Sequence, residues 1–184
     1  MTTHGHYQPR SAVADKLKAA VRDVPDFPKP GIVFKDITPI LGNPELFRAA
    51  VDLLAERHEG RGIGKVAVID ARGFLFGSAL AYRLGAGLVP VRKKGKLPYR
   101  TFEQQYTLEY GAACLCVHVD AFEKNEPVVL VDDLLATGGT AASAAQLVEM
   151  AGGRIVEVDF LIELLFLHGR EKLANYPFFS AIQF

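Results

Sequence analysis

The sequence predicts an α/β protein built on a mostly parallel twisted sheet of about five strands, flanked by helices on both faces. Three observations predict it. Short continuous apolar runs occur in KVAVID (65–70), GLVPV (87–91), VVLV (128–131) and RIVEVDFLIELL (154–165). Such runs fit strands buried on both faces, as inside a parallel sheet. Segments with apolar residues at helical spacing alternate with them, the signature of βα units. Twice, within 65–84 and within 128–151, an apolar run leads into a glycine-bearing loop and then a helix.

Composition narrows the function classes. At 184 residues the chain is expected to form a single domain over 1–184. Apolar residues make up 49% and charged residues 23%, a globular balance. The formal net charge is zero, which argues against nucleic acid or an anionic membrane as partner. No apolar run is long enough to span a bilayer, and the N-terminus lacks the apolar core of a signal peptide. Cys114 and Cys116 have neither redox nor zinc spacing and are read as free thiols of a cytoplasmic protein. The histidines at 4, 6, 58, 118 and 168 form no metal pattern.

In chain order, 11–24 reads as a helix with Ser11 as a candidate cap and Val13, Leu17, Ala20, Val21 and Val24 as its apolar stripe. Pro25, Pro28, Pro30 and Pro39 then exclude regular structure over most of 24–41. That segment is either a packed loop or a small hood with main-chain groups left for a ligand. Residues 45–57 form an amphipathic helix. The strand at 65–70 runs into ARGFLFG (71–77), with a helix expected over about 78–84. Arg72 sits at the C-terminal end of that strand, where open parallel sheets bind ligands. Its alternative role is an ion pair with Asp70 or a neighbour.

After the strand at 87–91, Arg92, Lys93, Lys94, Lys96 and Arg100 crowd into a polar loop. It reads as a solvated loop, a nucleic-acid patch or a mobile lid for pyrophosphate, and neutral charge without interleaved aromatics disfavours the second. Residues 114–119 read as a strand, and the chain closes with a short helix and an extended end.

The segment VVLVDDLLATGGT (128–140) organises the rest. Gly138 and Gly139 let main chain approach a ligand, and the helix start behind them offers unpaired N–H groups to a phosphate. Thr137 and Thr140 add hydroxyl donors. Asp132 and Asp133 suit sugar hydroxyls, but on a regular strand they face opposite ways, so both meet one ligand only if the chain turns there. The ligand this pattern asks for is a ribose 5-phosphate. No Lys follows the glycines, so it is not a nucleoside-triphosphate P-loop.

This string resembles the phosphoribosyl-pyrophosphate (PRPP) motif of the type I phosphoribosyltransferases. VPDFPKPGIVFKDITPIL (24–41) is similar to the hood of members that act on adenine, and TLEYG (107–111) is a further hallmark. The resemblance covers about residue 24 to the end. It implies the type I fold with an N-terminal hood over 24–41 and a flexible lid over 92–108. The implied reaction is adenine plus PRPP giving AMP plus pyrophosphate in purine salvage, by a homodimer, with Mg²⁺ held mainly by PRPP and water.

The resemblance also implies residue roles. Ala136, Thr137, Gly138, Gly139 and Thr140 would bind the 5-phosphate, with Asp132 and Asp133 on the ribose. Glu109 would be the general acid/base near N7 of adenine, a role typically worth about 100- to 10,000-fold. Arg72, Arg92 and Lys96 would meet pyrophosphate, Arg92 by reaching toward the partner subunit's site. The backbone of Val33 would pair with the adenine edge, Phe34 and Leu164 would flank the ring, and Lys35 would stand where the family commonly has Arg. Lys keeps the charge and loses the planar fork. A cis peptide is implied at Asp70–Ala71. A backbone C=O and N–H that match adenine mispair with a 6-oxopurine, at about 1–3 kcal/mol per buried group. The alternatives are a transferase for xanthine, hypoxanthine or orotate, and a non-catalytic PRPP-sensing regulator.

Overall fold

Strand β7 (Glu126–Leu135) is the middle one of the five parallel strands in a seven-stranded sheet. Its neighbours are β3 (Lys65–Ile69) on one side and β8 (Gly153–Glu163) on the other, both parallel to it. Beyond them lie β4 (Gly87–Lys93) and β9 (Phe178–Gln183), also parallel. An antiparallel hairpin, β5 (Thr101–Leu108) and β6 (Gly111–His118), is added to the β4 edge. The order is β5-β6-β4-β3-β7-β8-β9. Four of the five parallel strands, β3, β4, β7 and β8, coincide with the apolar runs, and β9 is the extended end of the chain.

This computed structural model describes residues 9–108 and 111–184. The chain forms two compact units, Met1–Leu53 and Leu54–Phe184. Among the described residues no helix is long and apolar enough to cross a membrane.

In the first unit, α1 (Pro9–Ala20) ends before Val21 and Val24, which the helical stripe had included. The chain turns instead into β1 (Arg22–Pro25), paired antiparallel with β2 (Val33–Asp36). The proline-rich link between these strands contains a cis Phe27–Pro28 bond. Asp36 ties the ribbon together: it accepts from Arg22 Nε at 2.9 Å and from the Thr38 N–H at 2.9 Å. Helices α2 (Thr38–Leu41) and α3 (Pro44–Ala55) follow, with Asn43 Oδ1 accepting from the N–H groups of Glu45 and Leu46 at the start of α3.

In the second unit, helices cover both faces of the sheet. Helix α5 (Gly139–Met150) packs Ala144, Leu147 and Val148 on the face built from Ala67, Leu130, Val158 and Phe160. Helix α4 (Gly73–Leu84) lies on the opposite face, where a side chain at Gly77 would collide with Val68. Glycine thus sets close helix–sheet packing. It also explains a correction: α4 begins at Gly73, five residues before the expected start, because its glycines belong to the packed helix and not to a loop.

Two further differences bear on the site. Residues 101–108, expected as lid, form the eight-residue strand β5, with Glu103 and Gln105 exposed and Phe102 and Tyr106 packed against the core. And β7 does not stop at Val131: β8 runs beside it, pairing Asp132 with Phe160 and Leu135 with Glu163. The same α4-side unit buries an ionic network that no sequence pattern announced. His58 Nε2 lies 2.6 Å from Asp159 Oδ2, and Arg57 takes both oxygens of Glu157 at 2.6 and 3.0 Å. His58, Glu157 and Asp159 come close enough to suit a metal, but the Arg57 fork already occupies Glu157.

Candidate active site

The site begins where β3 ends. The Asp70–Ala71 peptide is cis, as the resemblance implied. Gly73 lets α4 start hard against β7, since a Cβ there would lie 2.9 Å from the Val131 carbonyl oxygen and 3.0 Å from Asp132 Oδ1. That approach brings Arg72, the residue before the helix, onto β7. Its Nε sits 2.7 Å from Asp133 Oδ2.

Two residues on, at the same C-terminal end of β7, the chain leaves the sheet at Leu135 and turns through 136–138 into α5. Gly138 caps the helix with φ +77°, a left-handed conformation that glycine adopts without steric cost. It has no side chain to cap the first turn, so the N–H groups of that turn are aimed outward at the positive end of the helix dipole. Gly138 has a second duty that sequence reasoning missed. A Cβ there would strike the carbonyl oxygen of Gly169, and one at Gly169 would strike that of Ala136. Two backbones therefore touch, and both glycines are required.

These pieces enclose a cleft of about 570 Å³. Arg72, Asp132, Asp133, Ala136, Thr137, Gly138 and Thr140 all line it, and Gly139 opens α5 beside them. Residues from two strand ends and one helix start thus converge, although β7 continues through the acidic pair where a turn was expected. Asp132 adapts: its Oδ1 accepts from the next residue's own N–H at 2.8 Å, leaving both carboxyls on the cleft.

Lys93 and Tyr106 line the cleft as well. Neither was singled out from sequence. Lys93 was one of a run of cations, and Tyr106 had the period-two spacing with Phe102 that marks a strand face. Arg92 and Lys96 are not among the lining residues. Arg92 Nε bonds Asp70 Oδ2 at 3.0 Å, and Arg92 Nη1 bonds the Lys96 carbonyl at 3.2 Å. Leu164 is half-buried just past β8, and its N–H donates to the Leu135 carbonyl at 3.0 Å. Glu109 lies outside the described residues.

The hood residues belong to the first unit. Val33, on β2, is exposed. Phe34 meets Phe27 edge-on with ring centroids 5.2 Å apart. Lys35 Nζ contacts Asp23 Oδ1 at 2.6 Å.

Electrostatics separate the two acids. Burial pushes the Asp132 carboxyl well above the usual carboxylate range, and the neighbouring Asp133 charge adds to it. Burial also raises Asp133, but Arg72 opposes it. Arg72 thus offsets the burial of Asp133, whereas at Asp132 burial and the neighbouring charge act in the same direction. Two hard carboxylate oxygens are donors suited to Mg²⁺.

Residues 36–174 match the phosphoribosyl transferase domain family. The adenine phosphoribosyltransferase of Roseiflexus sp. (strain RS-1) is 57% identical over 168 residues, 91% of this chain and 98% of that protein. The solved structure of the adenine phosphoribosyltransferase from Rhodothermus marinus DSM 4252 superposes with a TM-score of 0.90 at 51% identity, covering 95% of this chain and 99% of that one. That from Saccharomyces cerevisiae, complexed with an imino-altritol bisphosphate and adenine, gives 0.88 at 42% identity over 93% and 99%. The chain belongs to the adenine phosphoribosyltransferase family.

Proposed function

We propose that this enzyme transfers the 5-phosphoribosyl group of PRPP to N9 of adenine, giving AMP and pyrophosphate for purine salvage. The observation that carries the proposal is the single cleft in which Arg72, the Asp132–Asp133 pair and the loop 136–140 converge.

In this reading the N–H groups and hydroxyls of Ala136, Thr137, Gly138, Gly139 and Thr140 hold the 5-phosphate. Asp132 and Asp133 accept from the ribose hydroxyls and stabilise positive charge as C1′ gains oxocarbenium character. Arg72 exchanges Asp133 for the leaving pyrophosphate. Lys93 joins it from the cleft wall, with Arg92 and Lys96 on the loop beyond. Mg²⁺, carried on PRPP oxygens and water, would offset charge on the pyrophosphate. Val33, Phe34, Lys35 and Leu164 receive adenine, and Glu109 manages the proton near N7. Closure of the loop between β4 and β5, the part of 92–108 outside the sheet, keeps water from PRPP. The enzyme works as a cytoplasmic homodimer. The exposed Leu75 and Tyr82 on α4 supply an apolar face for that contact.

A panel of bases with PRPP tests the substrate. Adenine should be consumed well ahead of hypoxanthine, xanthine and orotate, and faster turnover of hypoxanthine would reject the assignment. Glu109→Gln should leave PRPP binding nearly intact while turnover drops by roughly 100-fold. Equal loss of both would remove Glu109 from its role. A regulator without catalysis would bind PRPP and turn over none of the bases.

A further inference from the structure

The phosphate loop is braced from behind by the segment that follows β8, in which Glu163 and Arg170 have no part in the proposed substrate contacts. We propose that Glu163 and Arg170 are positioning residues, which hold loop 136–138 at the height a phosphate needs by acting through the backbone of Gly169. The inference rests on the reading of 136–140 as the 5-phosphate cradle.

Glu163 ends β8 directly opposite Leu135, the last residue of β7 before the loop. Its side chain is buried, yet it is fully employed. Arg170 grips it with a parallel pair of bonds, Nε to Oε1 and Nη2 to Oε2, both at 2.8 Å. Ser180 Oγ on β9 donates to the same Oε2 at 2.7 Å. Burial alone would raise this carboxyl, but the Arg170 and Ser180 bonds outweigh it and hold it below the usual range. The pair is therefore ionic at neutral pH.

The segment between the two partners leaves β8 and comes back on itself. His168, with φ +53°, makes the reversal. On the way out, the Leu164 N–H bonds the Leu135 carbonyl at 3.0 Å. On the way back, Gly169 presses against Ala136 and Gly138, with no space for a side chain at Gly169 or at Gly138. The loop is thus held at both its ends by one short segment, and a single carboxylate pins both ends of that segment.

Backbone donors bind a phosphate well only when already in position, so an error of about 1 Å in their placement is costly. The forked geometry matters here. A guanidinium fixes distance and angle together, whereas an ammonium supplies charge without direction.

The test is calorimetric titration of the full chain with AMP and with adenosine, which lacks the phosphate. Wild type should prefer AMP. Arg170→Ala should weaken AMP binding roughly tenfold while adenosine stays within about twofold, and Arg170→Lys should fall between. The KM for PRPP should rise by the same factor as the AMP Kd. The Arg170 side chain is 47% exposed, so its removal leaves the core filled. Glu163→Gln, nearly the same shape, provides the second variant and should shift the same ratio. Equal weakening of AMP and adenosine, or none, would overturn the positioning role. A wild type with no preference for AMP would instead overturn the phosphate cradle itself, and the inference with it.

Discussion

Arg72 and Asp133 face one another at 2.7 Å across two elements, the start of α4 and the end of β7. The pair links the proposed pyrophosphate side of the cleft to the proposed ribose side. In the proposed reading this guanidinium turns from Asp133 to pyrophosphate. Arg72→Ala should therefore lower kcat/KM for PRPP by roughly 100-fold, with Arg72→Lys recovering only part. Steady-state kinetics with PRPP varied at saturating adenine measure this, and a loss confined to the adenine KM would contradict it.

Asp132 supplies a test in which stability and activity move oppositely. Its carboxyl is raised well above its ordinary value of 3.8 by burial and then by Asp133. A carboxyl raised on folding binds protons more tightly in the native state than in the unfolded chain. Its contribution is most favourable below 3.8 and is lost as pH rises through the native value. At neutral pH, Asp132→Asn buries no charge. Its Tm should rise while transfer falls by roughly 100-fold or more. Calorimetry and an AMP-formation assay read the two effects, and a lower Tm would refute the account.

Gly138→Ala joins two costs at one position. The left-handed backbone strains any β-carbon, and the added carbon meets the Gly169 carbonyl. Destabilisation of about 2–4 kcal/mol is expected, measured by urea unfolding, together with loss of PRPP binding. Gly139→Ala, one residue along and inside α5, should be far milder in stability.

Asp36 carries the acid sensitivity of the hood. The Thr38 N–H first, then the Arg22 side chain, lower its carboxyl to about 2. Because the native value lies below the unfolded one, its stabilisation is present above 3.8 and drains away as pH falls toward 2. Carboxyl NMR should show a midpoint near 2, and Asp36→Asn should flatten the acid limb of the stability curve. A midpoint near 3.8 would show that the Thr38 and Arg22 bonds do not hold in solution.

The Arg57 fork on Glu157 makes a stability prediction remote from the cleft. Replacing Arg57 with Met strips the fork from the buried Glu157, leaving Arg61 Nη1 3.5 Å from it, at a cost of about 3 kcal/mol. Urea unfolding measures it, and Arg57→Lys should recover part. A change under about 0.5 kcal/mol would mean the network is solvated.

Much of the sheet was legible because a parallel strand buried on both faces leaves an unbroken apolar run, as in Val128 to Val131 and Val66 to Ile69. Strand β5 was not, since Thr101, Glu103 and Gln105 make one face polar, Gln104 interrupts the apolar face of Phe102 and Tyr106, and the strand pairs only with β6 at the sheet edge. The α1 boundary slipped because Val21 and Val24 suit helix and strand alike, and the partner that decided for strand, β2, lies beyond three prolines. In the site, Asp132, Asp133 and the glycine loop were readable from one contiguous string.

By itself the chain's order of residues determined the parallel α/β architecture, the phosphate-seeking glycine turn and the acids beside it. These follow from local rules: side-chain period, backbone freedom at glycine, and charge at a strand's end. Only the folded molecule decided that Arg72 would face Asp133, that Gly169 would back Gly138, and that His58, Arg57, Glu157 and Asp159 would share one buried network. Each of those joins residues distant in sequence, and a contact across a sheet depends on strand order and register, which no local pattern encodes.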